Sequence, residues 1–233
     1  ASFTGILLFI AAIMLLSLLR LMGAAISESI SKNVPDNSVY IINLQGTLTE
    51  QSEEAPLNMI LKNDTKSISL ETLLSNINKA KDCNEIKGIY IDCGMYFDPD
   101  SYASLEAIRK ALTDFKKSGK WIVAYADVYS TPAYYIASVA DKVLINEEGQ
   151  LDLHGLASNP MFFKDALAKF GVKFMVSKVG KYKSAPEQFT ADGMSEPNRE
   201  QITAYIQGTW DNVVKGIAES RKISPEKVNE YAD

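Results

Sequence analysis

A lysine works as a general base only after its amine has lost a proton. Free lysine titrates near ~10.4, so work near neutral pH needs a downward shift of about three units, roughly 4 kcal/mol. Burial and neighbouring cations supply shifts of that kind. Lys183 is the candidate here, in the segment Ser177-Lys-Val-Gly-Lys-Tyr-Lys-Ser-Ala-Pro-Glu187, which follows a strongly apolar run. Lys178 and Lys181 stand close by in sequence, and Lys181 and Lys183 point the same way if the stretch is extended. Ser184 either hydrogen-bonds the Lys183 amine or faces solvent. The competing reading of the whole cluster is a set of solvated surface lysines.

Other chemistries are poorly supplied. The 233 residues carry one histidine, His154, two cysteines and a net charge of -5. His154, in Leu151-Asp-Leu-His-Gly155, reads as part of a strand end and turn, because a lone histidine is weak evidence for catalysis. One histidine and two cysteines do not make a standard zinc site without added carboxylates. No phosphate-cradling glycine loop or dinucleotide fingerprint occurs. The acidic balance, with no basic stripe bearing aromatics, argues against nucleic acid. Cys83 and Cys93 bracket an expected strand, which at ~3.3 Å per residue holds its ends too far apart for a disulfide. Both are expected as free thiols.

The elements that must position Lys183 follow from periodicity. Gly5 to Ile26 is almost wholly apolar, long enough for a ~30 Å hydrocarbon core, and reads as an uncleaved transmembrane anchor within residues 1–26, with a cleaved signal peptide as the rival. Residues 27–38 read as a linker. Residues 39–233 alternate strands and helices, which argues for an α/β domain with largely parallel strands and right-handed crossovers. Strands are expected at Val39–Leu44, Ile86–Asp92, Trp121–Ala126, Lys142–Asn146 and Val172–Val179. The polar, acidic stretch after the first strand reads as a mobile loop. A helix capped by Ser69 presents Leu70, Leu73, Leu74 and Ile77, and a second presents Leu105, Ile108, Leu112 and Phe115 before ending at Gly119. Shorter helices are expected near Pro132–Val139 and Phe162–Phe170, a long one from about Pro197 to Ser220, and a last one from Ser224-Pro225-Glu226 that has no stop signal before Asp233. The chain therefore reads as incomplete at its C-terminal end.

Several stretches together resemble one family. Ile86-Lys-Gly-Ile-Tyr-Ile-Asp92, Lys117-Ser-Gly-Lys-Trp-Ile-Val123, Tyr134-Tyr-Ile-Ala-Ser-Val-Ala-Asp-Lys142, Leu151-Asp-Leu-His-Gly155 and Val179-Gly-Lys-Tyr-Lys-Ser-Ala185 occur in this order. Taken together they resemble the N-terminal half of the long form of signal peptide peptidase A, also called protease IV. The resemblance implies a Clp protease/crotonase-like fold of repeated β-β-α/β-α units. It implies a membrane-anchored, oligomeric serine peptidase, tetrameric in the family, with a Ser-Lys dyad and no metal or cofactor. Lys183 matches the family's base. The nucleophile comes from the second half, so it would lie beyond Asp233. The implied partners are signal-peptide substrates, the membrane, the C-terminal half and further copies of the chain. The implied place is the inner (cytoplasmic) membrane, single-pass, with the catalytic domain on the extracytoplasmic side.

The residues agree with that division of labour. In single-length relatives the serine precedes Gly-Gly-Tyr-Tyr, whereas this chain has Ser130-Thr-Pro-Ala-Tyr-Tyr135. Pro132 and Ala133 replace the glycines, Thr131 stands at the serine's position, and proline has no N–H to offer an oxyanion. The glycine-rich segment expected after Asp92 is reduced to Gly94. Ser130 is then better read as a helix N-cap. Two other functions compete: a non-catalytic, membrane-anchored scaffold or peptide-binding module, and a crotonase-like thioester enzyme, for which no thioester-cofactor site is marked.

Overall fold

The computed structural model describes residues 34–51 and 67–232, with Gly5, Ile13 and Met14 besides. The expected anchor, most of the linker and the acidic stretch of residues 52–66 lie outside the described residues. Among the described residues no helix is long and apolar enough to cross a membrane.

Among the described residues five parallel strands form one sheet in the order β2-β1-β3-β4-β5. They are β1 (Ser38–Thr49), β2 (Ser67–Ser69), β3 (Ile86–Pro99), β4 (Trp121–Ser130) and β5 (Lys142–Asp152). The crossovers are α1 (Leu70–Asp82), α2 (Tyr102–Lys116) and α3 (Thr131–Ala137). A period of two puts alternate residues on one face, and the register stacks them: Ile42 lies opposite Ile91, Leu44 opposite Cys93, and Ile91 opposite Ala124. That face is buried beneath Leu73 and Ile77 of α1 and Leu105, Ile108, Leu112 and Phe115 of α2. The helical stripes are those that the apolar spacing predicts. Ser69 caps α1, accepting from the Thr72 N–H at 3.3 Å. Lys120 closes the other end of α1, donating to the carbonyls of Ala80, Lys81 and Cys83 at 2.8, 2.8 and 2.6 Å. Those carbonyls have no partner within the helix, and a cation there also meets the negative end of its dipole.

The strands run further at their carboxyl ends than the alternation predicts. β1 continues through Gly46, whose φ of 92° permits the irregularity beside Leu44, and β3 carries extra residues there that leave Met95 and Tyr96 exposed. Both cysteines are free, and burial pushes the Cys93 thiol up to about 12, which makes it inert.

One expected strand is not formed. Val172–Val179 has no strand assignment, and Met175 and Val179 are almost fully exposed. Apolar alternation makes a strand only where a neighbour supplies ladder hydrogen bonds, and among the described residues none lies beside this segment. The helix before it, α4 (Lys164–Lys169), is shorter than expected, with Gly171 at φ 72° just beyond it. Two further helices, α5 (Glu187–Thr190) and α6 (Glu196–Arg221), lead to α7 (Pro225–Ala232).

At 26 residues α6 is about 39 Å long. Its C-terminal half buries Val213, Val214, Ile217 and Ala218 in the core. Arg109 of α2, itself buried, clamps the same region. It donates to the Tyr135 carbonyl, to Ser138 Oγ at 2.6 Å, to the Gly216 carbonyl at 2.6 Å and to Ser220 Oγ at 2.9 Å. Its guanidinium also stacks 4.2 Å from the Tyr135 ring centroid. The N-terminal half of α6 is mostly exposed and carries the segment that contains Lys183.

Candidate active site

Lys183 sits between two hydrogen-bonded turns. In the first, the Lys183 N–H donates to the Gly180 carbonyl at 3.4 Å, with Gly180 at φ 98°. In the second, the Glu187 N–H donates to the Ser184 carbonyl at 2.9 Å and leads into α5. The segment is therefore not extended, and the alternation that would aim Lys181 and Lys183 the same way does not apply. Lys181 instead folds back over the Tyr182 ring, 4.5 Å from its centroid. A glycine at positive φ breaks the period of two.

Both turns are fastened to the first turns of α6. Tyr182 donates its hydroxyl to Glu200 at 2.9 Å, and its carbonyl accepts from Gln201 Nε2 at 3.1 Å. Glu187 is 5% exposed, and its carboxylate accepts from Ser195 Oγ at 2.7 Å, the Ser195 N–H at 3.1 Å and Asn198 Nδ2 at 3.0 Å. The Ser195 hydroxyl bond, above all, holds this carboxyl below its ordinary range against the opposing effect of burial, with Lys178 adding to it at 3.7 Å. The same Ser195 hydroxyl accepts from the Asn198 N–H as N-cap of α6. Below the segment, Phe163, Phe174 and Phe189 stack at 6.2 and 5.0 Å, and Lys164 pairs with Asp192 at 2.7 Å.

Lys183 lines a cavity of about 620 Å³ with Lys178, Val179, Tyr182, Ser184 and Pro186. Its side chain is exposed, and among the described residues its amine has no hydrogen-bond or ion-pair partner. Ser184 lines the same cavity and makes no bond to that amine. Neither Ser130, Thr131 nor His154 reaches the cavity.

Ser130 and Thr131 stand where β4 enters α3. Ser130 is the N-cap of α3 by backbone conformation, but its hydroxyl makes no capping bond. Pro132, at the second helical position, has no N–H to donate, and the Ala133 N–H at the third makes no bond to that hydroxyl. Thr131 is 1% exposed, and its hydroxyl oxygen lies 3.2 Å from the Asp152 carbonyl, 3.3 Å from the His154 carbonyl and 3.0 Å from the His154 N–H that donates to it. That hydroxyl fastens α3 to the end of β5, with its proton and one lone pair engaged by backbone groups. The His154 ring is exposed, 3.0 Å from the Gly155 carbonyl and 3.9 Å from Asp152.

Glu187 is the residue whose part the periodicity does not disclose. The available signal is a carboxylate closing a lysine-rich segment, followed eight residues later by Ser195-Glu-Pro-Asn198, an N-cap pattern whose donors need an acceptor.

The fold and the site define a parallel α/β domain that presents one lysine on an anchored turn and keeps Ser130 and Thr131 away from it. Residues 114–233, which include that turn, match the model of peptidase family S49. The chain belongs to this family. It is 31% identical over 204 residues to Protease 4 of Haemophilus influenzae, covering 85% of this chain and 33% of that protein. It is 39% identical over 160 residues to Protease 4 of Salmonella typhi, covering 69% of this chain and 26% of that protein. Serine protease SPPA, chloroplastic, of Arabidopsis thaliana is 28% identical over 203 residues, with 86% and 28% covered. The chain spans between a quarter and a third of the length of these relatives.

Proposed function

We propose that this chain is the base-bearing half of a membrane-anchored serine endopeptidase of the signal peptide peptidase A type, with a Clp protease/crotonase-like fold. Lys183 takes the proton of a serine hydroxyl supplied from outside residues 1–233 as that oxygen attacks the peptide carbonyl. The resulting ammonium then protonates the leaving amine. A second cycle with water in place of the serine releases the acyl group and returns the proton to the serine. No metal or cofactor takes part in these steps. The observation that carries this reading is the contrast between two side chains: Lys183 is held in a cavity with its amine uncommitted among the described residues, while Thr131, at the position of the single-length nucleophile, is buried with its hydroxyl bonded to backbone.

Cleaved signal peptides are the proposed substrates. The proposed setting is the extracytoplasmic side of the cytoplasmic membrane, in a homo-oligomer anchored by residues 1–26. Desolvation of the Lys183 amine comes from the second half closing over the cavity, because Lys178 is charge-paired with Glu187 and Lys181 lies on Tyr182. A chain comprising only these 233 residues is expected to hydrolyse no peptide, and the assay is release of a fluorophore from an unstructured peptide. Turnover that vanishes in Ser130→Ala or Thr131→Ala would overturn the two-half account and make this half autonomous.

A further inference from the structure

Lys183 has a short backbone leash on either side, and the two leashes end on the same feature. Tyr182 precedes it and is fixed to Glu200 and Gln201 of α6. Glu187 follows it by four residues and is fixed to Ser195 and Asn198. The second attachment is the buried one. Its pocket presents three donors, the Ser195 N–H, the Ser195 hydroxyl and the Asn198 amide, and one cation, Lys178, to a single carboxylate. An acceptor-only group satisfies all of them at once, and no neutral side chain does. The carboxylate also lies at the N-terminal end of α6, where the helix dipole favours negative charge.

We propose that Glu187 is a positioning residue for the lysine base, locking the turn that carries Lys183 onto the N-terminus of α6 and so fixing where the amine meets its serine. The inference rests on the reading of Lys183 as the base. Glu187 touches neither substrate nor reacting atoms. It acts through geometry, and misplacing a reacting group by about 1 Å costs on the order of 10² in rate. Through Glu187, α6 becomes the rigid element that transmits the order of the core to the exposed turn.

The donor pattern supplies a swap that separates positioning from mere presence. In Glu187→Gln the amide NH₂ faces donors and one bond becomes a clash. Adding Asn198→Asp moves the carboxylate one residue across the contact: the new acid accepts from the Gln amide and the Gln oxygen accepts from the Ser195 hydroxyl, while the Ser195 N–H, which shares Oε2 with Asn198, loses its acceptor. The experiment is made on the complete protein with Glu187→Gln, the double swap and Lys183→Ala. It measures kcat and KM on an internally quenched peptide, and the rate at which trypsin cuts the folded protein after Lys181 and Lys183.

The expected result for Glu187→Gln is a kcat lowered by about 10² with KM within about twofold, and faster tryptic cleavage at the turn. The double swap regains two of the three bonds and is expected to restore part of kcat and part of the resistance to trypsin. If Glu187→Gln keeps kcat within twofold while Lys183→Ala is inactive, the positioning role is wrong and the base assignment stands. Loss of kcat in proportion to loss of folded protein, or without recovery in a folded double swap, also overturns it. A fully active Lys183→Ala removes the base assignment and this inference with it.

Discussion

Lys183→Ala in the complete protein is expected to lower kcat by 10²–10⁴-fold while the unfolding temperature stays within a degree or two. A positioned general base contributes that much, and a nucleophile with one activator falls towards the severe end. The side chain is exposed and bonds to nothing among the described residues, so its removal leaves no buried group unsatisfied. Lys183→Arg is expected to fail almost as badly, because a guanidinium holds its proton at any working pH. Lys181→Ala is expected to do much less, since Lys181 rests on the neighbouring Tyr182 ring. Steady-state kinetics across pH for the three variants, with thermal unfolding beside them, decide the matter. Near-normal activity in Lys183→Arg, or a dead Lys181→Ala, would place the base elsewhere.

The largest structural effect is expected at Arg109. Its four acceptors lie on α3, on the residue just after it and on α6, and two of them are backbone carbonyls, of Tyr135 and Gly216. Arg109→Met keeps much of the volume and removes every donor. Bonds to a charged donor contribute about 1.5–3 kcal/mol each, but two of these four are only part-buried, the Tyr135 carbonyl retains the Ser138 hydroxyl at 2.9 Å, and the Gly216 carbonyl lies inside α6 with its helical donor. A loss of about 3 kcal/mol is therefore expected, localised where α6 joins the core. It reads out as amide hydrogen exchange over residues 213–221 faster by about 10²-fold in the complete protein. Arg109→Lys should recover little, because one ammonium cannot span acceptors that a planar fork holds. Exchange unchanged in Arg109→Met would mean that the apolar residues Val213, Val214 and Ile217 hold α6 without the clamp.

Much of this architecture is legible in the residues because the signals are local. Ser69 before Leu70, Leu73 and Ile77 announces a cap and a buried stripe, and both are found. The same holds for α2 with Gly119 beyond it at φ 82°. The parallel sheet follows from alternation of elements. What fails is non-local. Val172–Val179 has the pattern of a strand, but a strand is a property of two chains, and the pattern names only one. The carboxyl-end extensions of β1 and β3 depend on an irregularity at Gly46 that the apolar run does not encode. At the site, the lysine cluster alone also fits a solvated surface; the family resemblance picks out Lys183, and the residues around Ser130 and His154 discount those two. Types and spacing do not reveal that Thr131 is tied to the end of β5, or that Glu187 answers donors eight and eleven residues further on. The first contact exists only once β5 has paired beside β4, and the second only once α6 has returned against the turn.

The central claim is a division of labour: these residues hold the base, and the nucleophile belongs to the rest of the protein. The most direct measurement is active-site labelling of the complete protein with a serine-reactive fluorophosphonate, followed by mass-spectrometric mapping of the modified residue. The account predicts one labelled serine outside residues 1–233, with labelling lost or slowed by at least 10² in Lys183→Ala. A label on Ser130 or Thr131, or a label elsewhere that forms at the same rate without Lys183, would contradict it.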